Sequence, residues 1–279
     1  MAFRYPRLPK AVLDRFYRAG NADSWQTQAE LRSDWQMVKA WLGSKSDVKR
    51  ILDVGCFDGR LLEFLGRQYA WLGVEVHDEA ATLARARGVD VVCDDFDKLA
   101  ESKAYADVAI AIDVIEHTYD PRRFLEVMAS RVRPGGYVVI ATGNTEALTW
   151  RLMGSRYWYC HIAEHLSFIN PTWARLVAPT LGMEVVDVRA YSHAERDISP
   201  RQRLHELLSN LVLRTVPGLY VLLRRIGMGG IDLRRFPALA LSPPYWLTAR
   251  DHMFLALKKS ESAPEPSSAT FPEKVNHVK

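Results

Sequence analysis

The chain has 279 residues, enough for one large or two small domains with a substantial core. Hydrophobic residues at 48 % and charged ones at 25 % are those of an ordinary globular protein, and a net charge of +4 is too small to argue nucleic-acid binding by itself. The three cysteines, Cys56, Cys93 and Cys160, stand in unrelated contexts and form no disulfide or zinc framework, which suits a reducing cytosol. The basic N-terminus is not followed by an apolar h-region, so no secretory signal is expected, and no 18-residue uncharged apolar run offers a spanning helix.

Residues 1–20 are rich in Arg, Pro and aromatics without a clear period and read as an arm or lid. From about Ser24 to Trp41, the apolar positions Leu31, Trp35, Val38, Trp41 and Leu42 recur at steps of three and four, predicting a helix that Gly43 stops. The run Ile51-Leu52-Asp53-Val54-Gly55-Cys56-Phe57-Asp58-Gly59-Arg60-Leu61-Leu62-Glu63-Phe64-Leu65 follows. Its start predicts a buried strand and its end a helix, with Gly55 and Gly59 allowing a tight corner at the helix N-terminus. A dinucleotide fingerprint is G-x-G-x-x-G without an acid in front, whereas here Asp53 ends the strand. That carboxylate would repel a pyrophosphate and attract a ligand bearing a cation.

The run resembles motif I of the class I S-adenosylmethionine-dependent methyltransferases, and the resemblance extends over roughly residues 45 to 190. It implies S-adenosylmethionine as cofactor, with the methionine end at Asp53, Gly55 and Gly59 and with Cys56 and Asp113 among the cofactor-binding residues. In this family a helix like that ending at Trp41 often covers the cofactor; packing without ligand contact is the alternative.

A second apolar run, Trp71 to Val76, contains Glu75, 22 residues after Asp53, at the point where nucleotide-binding α/β folds place an acid for the ribose hydroxyls. A helix over Asp78–Arg87 and a strand over Val89–Cys93 lead into Asp94-Asp95-Phe96-Asp97. This acidic turn is similar to the family's adenine-binding segment, which implies Asp95 and Phe96 as adenine contacts, with Asp94 if the register slips by one. Ala106 to Ile112 predicts the fourth strand. The next stretch, Asp113-Val114-Ile115-Glu116-His117-Thr118-Tyr119-Asp120-Pro121, is similar to D-V-x-E-H-x-x-D-P of the small-molecule branch that includes the ubiquinone-biosynthesis O-methyltransferases. Asp120 and Pro121 are a cap and a first helical residue.

Residues just past a strand's carboxyl end line the ligand crevice of an open α/β sheet, so His117 belongs on the methyl-acceptor side. Histidine titrates near neutral pH and is a natural general base. No dedicated metal site is expected. In some ubiquinone-pathway relatives, however, the corresponding positions hold a divalent metal, which makes Asp113, Glu116 and His117 the alternative. A packed, hydrogen-bonded His that shapes the loop is the third reading.

Arg133-Pro134-Gly135-Gly136 is expected as the turn before a fifth strand over Tyr137–Thr142. His161-Ile162-Ala163-Glu164-His165 fits the H-x-x-E-H of inverted zinc peptidases, yet Asn170 and Pro171 open a new helix so soon that only a short irregular piece is available. Tyr157 to Asn170 instead resembles a segment that runs over the acceptor pocket of small-molecule methyltransferases. The resemblance makes Tyr157, Trp158, His161 and His165 acceptor-side residues and His165 a second base. Trp173–Leu181 predicts a helix stopped by Gly182, and Met183–Ala190 the sixth strand. Ser242-Pro243-Pro244-Tyr245 comes too late and lacks the leading residue of a base-methylating motif, so it reads as an extended turn.

About 60 residues separate that strand from the last, His252–Lys258. Leu204, Leu207, Leu208, Leu211 and Val212 make a helical stripe that Pro217-Gly218 breaks. Seven arginines against Glu206 and Asp232 leave 7 − 2 = +5 over 201–235. A packed helical insertion, an acceptor lid, a dimer face and peripheral membrane contact through 201–235 are all compatible with that pattern.

The expected fold is α/β, a Rossmann-like seven-stranded, mostly parallel sheet flanked by helices. The resemblance implies order 3-2-1-4-5-7-6 with an antiparallel strand seven. The expected organisation is an arm and cap helix (1–44), a methyltransferase core (45–190), a helical insertion (191–250), the last core strand (251–259) and a disordered tail (260–279). The expected activity is O-methylation of a small-molecule, quinone, sugar or lipid-linked acceptor by a cytoplasmic enzyme, with contact to the membrane surface as a further expectation and no specific nucleic acid. A non-catalytic S-adenosylmethionine-binding module and a nucleic-acid or protein methyltransferase are the alternatives.

Overall fold

The computed structural model describes residues 1–19, 32–94, 96–192, 199–224 and 242–262. The N-terminal arm is more ordered than its composition predicts, with a short strand β1 (Ala2–Phe3) and a helix α1 (Lys10–Ala19). The expected cap helix is present as α2 (Ser33–Gly43), and residues 20–31 with Leu31 lie outside the described part. The core then alternates strand and helix: β2 (Arg50–Val54), α3 (Arg60–Leu65), β3 (Ala70–Val74), α4 (Asp78–Ala86), β4 (Asp90–Cys93), α5 (Phe96–Leu99), β5 (Ala106–Ile112), α6 (Pro121–Ser130) and β6 (Val132–Gly143). It continues through α7 (Leu148–Met153), β7 (Ser167–Phe168), α8 (Pro171–Val177), β8 (Met183–Tyr191), α9 (Pro200–Thr215), α10 (Pro217–Leu223) and β9 (His252–Lys259).

The main sheet runs β4-β3-β2-β5-β6-β9-β8. Its strands are parallel except β9, which is antiparallel to both β6 and β8. With β1 and β7 set aside as a separate two-stranded pair, this is the expected order. The turn expected at Arg133–Gly136 is absorbed into β6, where the pairing with β5 slips between Ala106 and Val108.

Both faces of the sheet are covered, and the strands are accordingly apolar at consecutive positions. On one face Leu52, Ala109, Val138 and Leu255 meet Phe124, Leu125 and Met128 of α6 and Ala174 of α8. On the other Ile51, Ile110, Val139 and Phe254 meet Val38, Trp41 and Leu42 of α2 and Leu61, Leu62 and Leu65 of α3. The α2 stripe is therefore a core stripe. The helix caps follow local sequence: the Asp120 side chain accepts from Arg123 N at the start of α6, and Asn170 from Trp173 N at the start of α8.

Candidate functional site

The carboxyl ends of β2, β3, β5 and β6 bring Asp53, Glu75, Asp113 and the loop after Gly143 to one edge of the sheet. After Val54 the chain turns sharply, with Gly55 at φ 79°, Phe57 at 46° and Gly59 at 83°. Gly59 caps α3, a left-handed residue where most side chains would be strained. A Cβ at Gly55 would stand 2.7 Å from Val114 Cγ2, closer than real Cβ contacts. Gly55→Ala is thus expected to destabilise the fold by about 2 kcal/mol from backbone strain and overlap, lowering the thermal midpoint by about 5 °C. An unchanged midpoint would show that the corner is not under this constraint.

Asp53 is buried, and burial followed by the nearby Glu75 charge pushes its pKa up to about 7. Burial also raises the pKa of Glu75, opposed by the amide hydrogen bonds it accepts. His77 N donates to Oε1 and Phe57 N to Oε2, each at 2.8 Å. Two acids thus stand side by side out of water, one with its carboxylate fixed by backbone amides. Cys56 is buried beside them, and its thiol is pushed up by burial and by both carboxylates.

Asp113 is held at φ 53°, in the left-handed region that non-glycine residues rarely occupy. Its Oδ2 lies 2.5 Å from Nη2 of Arg32, and the same guanidinium pairs with Asp34. Arg32 immediately precedes α2, so the cap helix presents a cation at the edge that holds the acids. Sequence reasoning missed it; the one available signal was a lone basic residue at the helix boundary. Asp95 lies outside the described residues. Phe96 stacks on Phe124, with ring centres 4.6 Å apart, and packs against the core.

A second group of side chains forms around the turn Ile115–His117. Glu116 is buried; its Oε2 accepts from Thr142 Oγ1 at 2.9 Å, and its Oε1 accepts from the Tyr159 hydroxyl. Burial raises the pKa of Glu116, and the adjoining His117 acts against that rise. Nδ1 of His117 lies 2.7 Å from the Tyr17 hydroxyl and 3.2 Å from the Glu164 carbonyl. A carbonyl only accepts, so both contacts are hydrogen bonds together only when Nδ1 carries a hydrogen. Nδ1 of His165 lies 3.1 Å from the Tyr159 carbonyl, which likewise places its hydrogen on Nδ1. Burial, followed by His117, lowers the pKa of His165 to about 2.

Ligand atoms of Glu116, His117 and His165 lie within 4.8 Å of one another. Asp113, expected in this group, stands outside it because its carboxylate is engaged by Arg32. The piece holding His161 and His165 is not a helix, so the zinc-peptidase spacing brings no pair together: Trp158–His161 is a short 3₁₀ turn, and His161 is exposed while His165 is buried. Tyr157, Trp158 and Tyr159 are buried in an aromatic cluster with Trp150 and Phe168.

The N-terminal arm closes over this piece. β1 pairs with β7, and Arg4 donates to the carbonyls of Cys160, Ile162 and His165. Tyr17 on α1 reaches His117 from the arm. Tyr17, Thr142 and Tyr159 had no signal in the sequence, being 100, 26 and 43 residues from their partners.

A family model described as a methyltransferase domain matches residues 26–188. The ubiquinone biosynthesis O-methyltransferase of Aeromonas salmonicida is 29 % identical over 190 residues, 61 % of this chain and 80 % of that protein. The protein of the same description from Ralstonia nicotianae is 28 % identical over 177 residues, 58 % of this chain and 73 % of that one. Among solved structures, magnesium protoporphyrin IX methyltransferase from Synechocystis with bound S-adenosylhomocysteine superposes with a TM-score of 0.55 at 12 % identity, covering 90 % of this chain and all of that one. A Thermotoga maritima structure described as a possible histamine N-methyltransferase gives 0.54 at 17 % identity, over 90 % of this chain and all of that one. At these identities the structural matches carry the fold alone.

Proposed function

Since the chain belongs to the methyltransferase-domain family and is an S-adenosylmethionine-dependent enzyme, we propose that it methylates a hydroxyl oxygen of a small-molecule acceptor. The observation that carries the reading is the pairing of two differently built groups on one sheet edge: buried acids with no cation against Asp53 among the described residues, and a histidine whose Nδ1 faces the Tyr17 hydroxyl and the Glu164 carbonyl. The relatives described as O-methyltransferases support oxygen as the receiving atom.

The residues fit the cofactor. Asp53 is a buried carboxylate suited to a ligand cation, Arg32 is a guanidinium suited to a carboxylate, and the corner at Gly55, Cys56 and Gly59 lets a ligand approach the backbone. Glu75, with its orientation locked by two amides, has lone pairs left for ribose hydroxyls. Phe96 and Asp95 are proposed to meet the adenine. When bound, S-adenosylmethionine supplies a methyl group on a positively charged sulfur, open to a single displacement. The protein's own contribution is to bind the acceptor in line with that methyl and to take its proton. Holding the two reactants together can supply ~7–11 kcal/mol of the barrier.

Of the two histidines, His117 is the proposed base, accepting the hydroxyl proton at Nε2. His165, with its pKa near 2, stays neutral and is proposed to orient the acceptor. A second reading is supported by the convergence of Glu116, His117 and His165: two imidazoles and a carboxylate suit a divalent cation. We assign residues 45–190 and 251–259 to the catalytic core and 191–250 to an insertion upon it.

The reading is tested by incubating the protein with S-adenosylmethionine and a panel of phenolic, catecholic and sugar hydroxyl compounds, scoring S-adenosylhomocysteine together with a methyl ether product. Turnover that survives a chelator is expected for the base reading. Loss of turnover on chelation and its return with a divalent cation would favour the metal reading, and product methylated at nitrogen or carbon would overturn the assignment to oxygen.

A further inference from the structure

The two described helices of the insertion are built inside out. On α9, at 100° per residue, Glu206, Asn210 and Leu213 share the side turned to the protein and are buried. Leu204 and Leu208 lie on the opposite side and Leu207 on the flank, and α10 buries Tyr220 while exposing Leu219 and Leu222. These five leucines and Val216 between the helices are 38–55 % exposed. Helix periodicity alone would have turned the leucines inward.

Hydrogen bonds hold the polar side in place. Glu206 Oε2 accepts from Thr248 N at 3.0 Å and Thr248 Oγ1 at 2.7 Å, while Gln202 Nε2 reaches Oε1 at 3.3 Å. Leu213 and Tyr220 pack in the aromatic cluster of Trp150, Trp158, Trp246 and Ala249. Rolling α9 to hide its leucines would carry Glu206 away from Thr248, leaving Thr248 N and Oγ1 without their acceptor, and would pull Leu213 out of the aromatic cluster, so the apolar side faces outward by construction.

We propose that the α9–α10 surface docks the protein reversibly onto an anionic lipid bilayer. Charge complementarity selects the occupant. Arg201, Arg203 and Arg214 are exposed around the leucines, and the only acid in residues 199–224 is Glu206, which is buried. A two-fold contact with a second copy would set this patch against itself, arginine against arginine with no exposed acid in the patch to relieve it. Leucines rimmed by arginine match a helix lying in a headgroup layer; centres of protein–protein contact are instead enriched in Trp, Tyr and Arg and poor in Leu. No described helix is long and apolar enough to cross a membrane, so the contact lies along the surface.

The docking goes beyond the methyl-transfer reading and is measured without it. The full chain is mixed with vesicles of phosphatidylcholine alone or with added phosphatidylglycerol and followed by flotation at low and high salt. Binding is expected on the anionic vesicles, weakened at least about tenfold on neutral vesicles or in high salt. The Leu204→Glu/Leu208→Glu and Arg201→Glu/Arg203→Glu variants are each expected to lose it. Leu176→Glu, at an exposed leucine on α8, is expected to keep it. Circular dichroism and S-adenosylmethionine affinity equal to wild type establish that the variants are folded. No binding to anionic vesicles, undiminished binding by both double variants, or a concentration-dependent dimer that Leu204→Glu/Leu208→Glu dissociates would overturn the proposal.

Discussion

Replacing His117 with glutamine is expected to lower kcat by about 10²- to 10³-fold while leaving S-adenosylmethionine affinity within about threefold, the pattern for loss of a positioned base. Glutamine is close to histidine in size and can keep a hydrogen bond to the Glu164 carbonyl, so the loop around Glu116 should hold its shape. What it lacks is a basic ring nitrogen. The comparison is His165→Gln, which removes a ring already held neutral by burial and by its neighbour. That variant should raise KM more than it lowers kcat, because it disturbs how the acceptor sits and not where its proton goes. Stopped-flow or discontinuous turnover assays with saturating cofactor, and calorimetry for the cofactor alone, separate these effects. Equal kcat in wild type and His117→Gln would remove the base from the mechanism.

The second large effect is a pH dependence of cofactor binding. With a folded-state pKa near 7, Asp53 is largely neutral at pH 5 and ionised at pH 8. A ligand cation favours the ionised form, so affinity should rise with pH up to about 7 and then level off, at most about tenfold per unit below that point. Glu75, also raised by burial, acts in the same direction. Stability of the ligand-free protein should move oppositely. Between the ordinary value of 3.8 and about 7 the folded state holds a proton that the unfolded state has released, so stability falls as pH rises through this window.

Asp53→Asn is expected to flatten most of both slopes and to weaken binding at pH 8 by about 100-fold, the equivalent of ~3 kcal/mol for a lost charge-assisted contact. Titration calorimetry in buffers of different ionisation enthalpy would also show proton release on binding below pH 7, much reduced in the variant. A pH-independent affinity in the wild type would mean that Asp53 does not meet the ligand's charge.

Much of this was legible in the sequence because it rests on local rules. The corner at Gly55 and Gly59, the acid at 75 after its strand, and the caps at Asp120 and Asn170 each declare themselves within a few residues. What could not be read is tertiary. The pairing of Asp113 with Arg32 joins residues 81 apart, and it removes Asp113 from the set of metal-capable groups in favour of His165. The arm over 1–20 was readable as a covering segment but not as a helix delivering Tyr17 to His117. On α9 the leucine stripe was plain, yet a period says which residues share a side, never which side meets water. The Glu206–Thr248 hydrogen bonds and the packing of Leu213 in the aromatic cluster decide that.

The place of β9 in the sheet bears on how the protein is made. It is the last of the described strands in the order of synthesis, yet it lies between β6 and β8 and pairs along most of its length with each. Until it leaves the ribosome, β6 carries an unpaired, largely apolar margin and β8 has no strand partner among the described residues. The nascent chain is therefore expected to present sticky strand edges for the whole time taken to translate some sixty intervening residues, a window in which chaperones matter more than the finished fold would suggest.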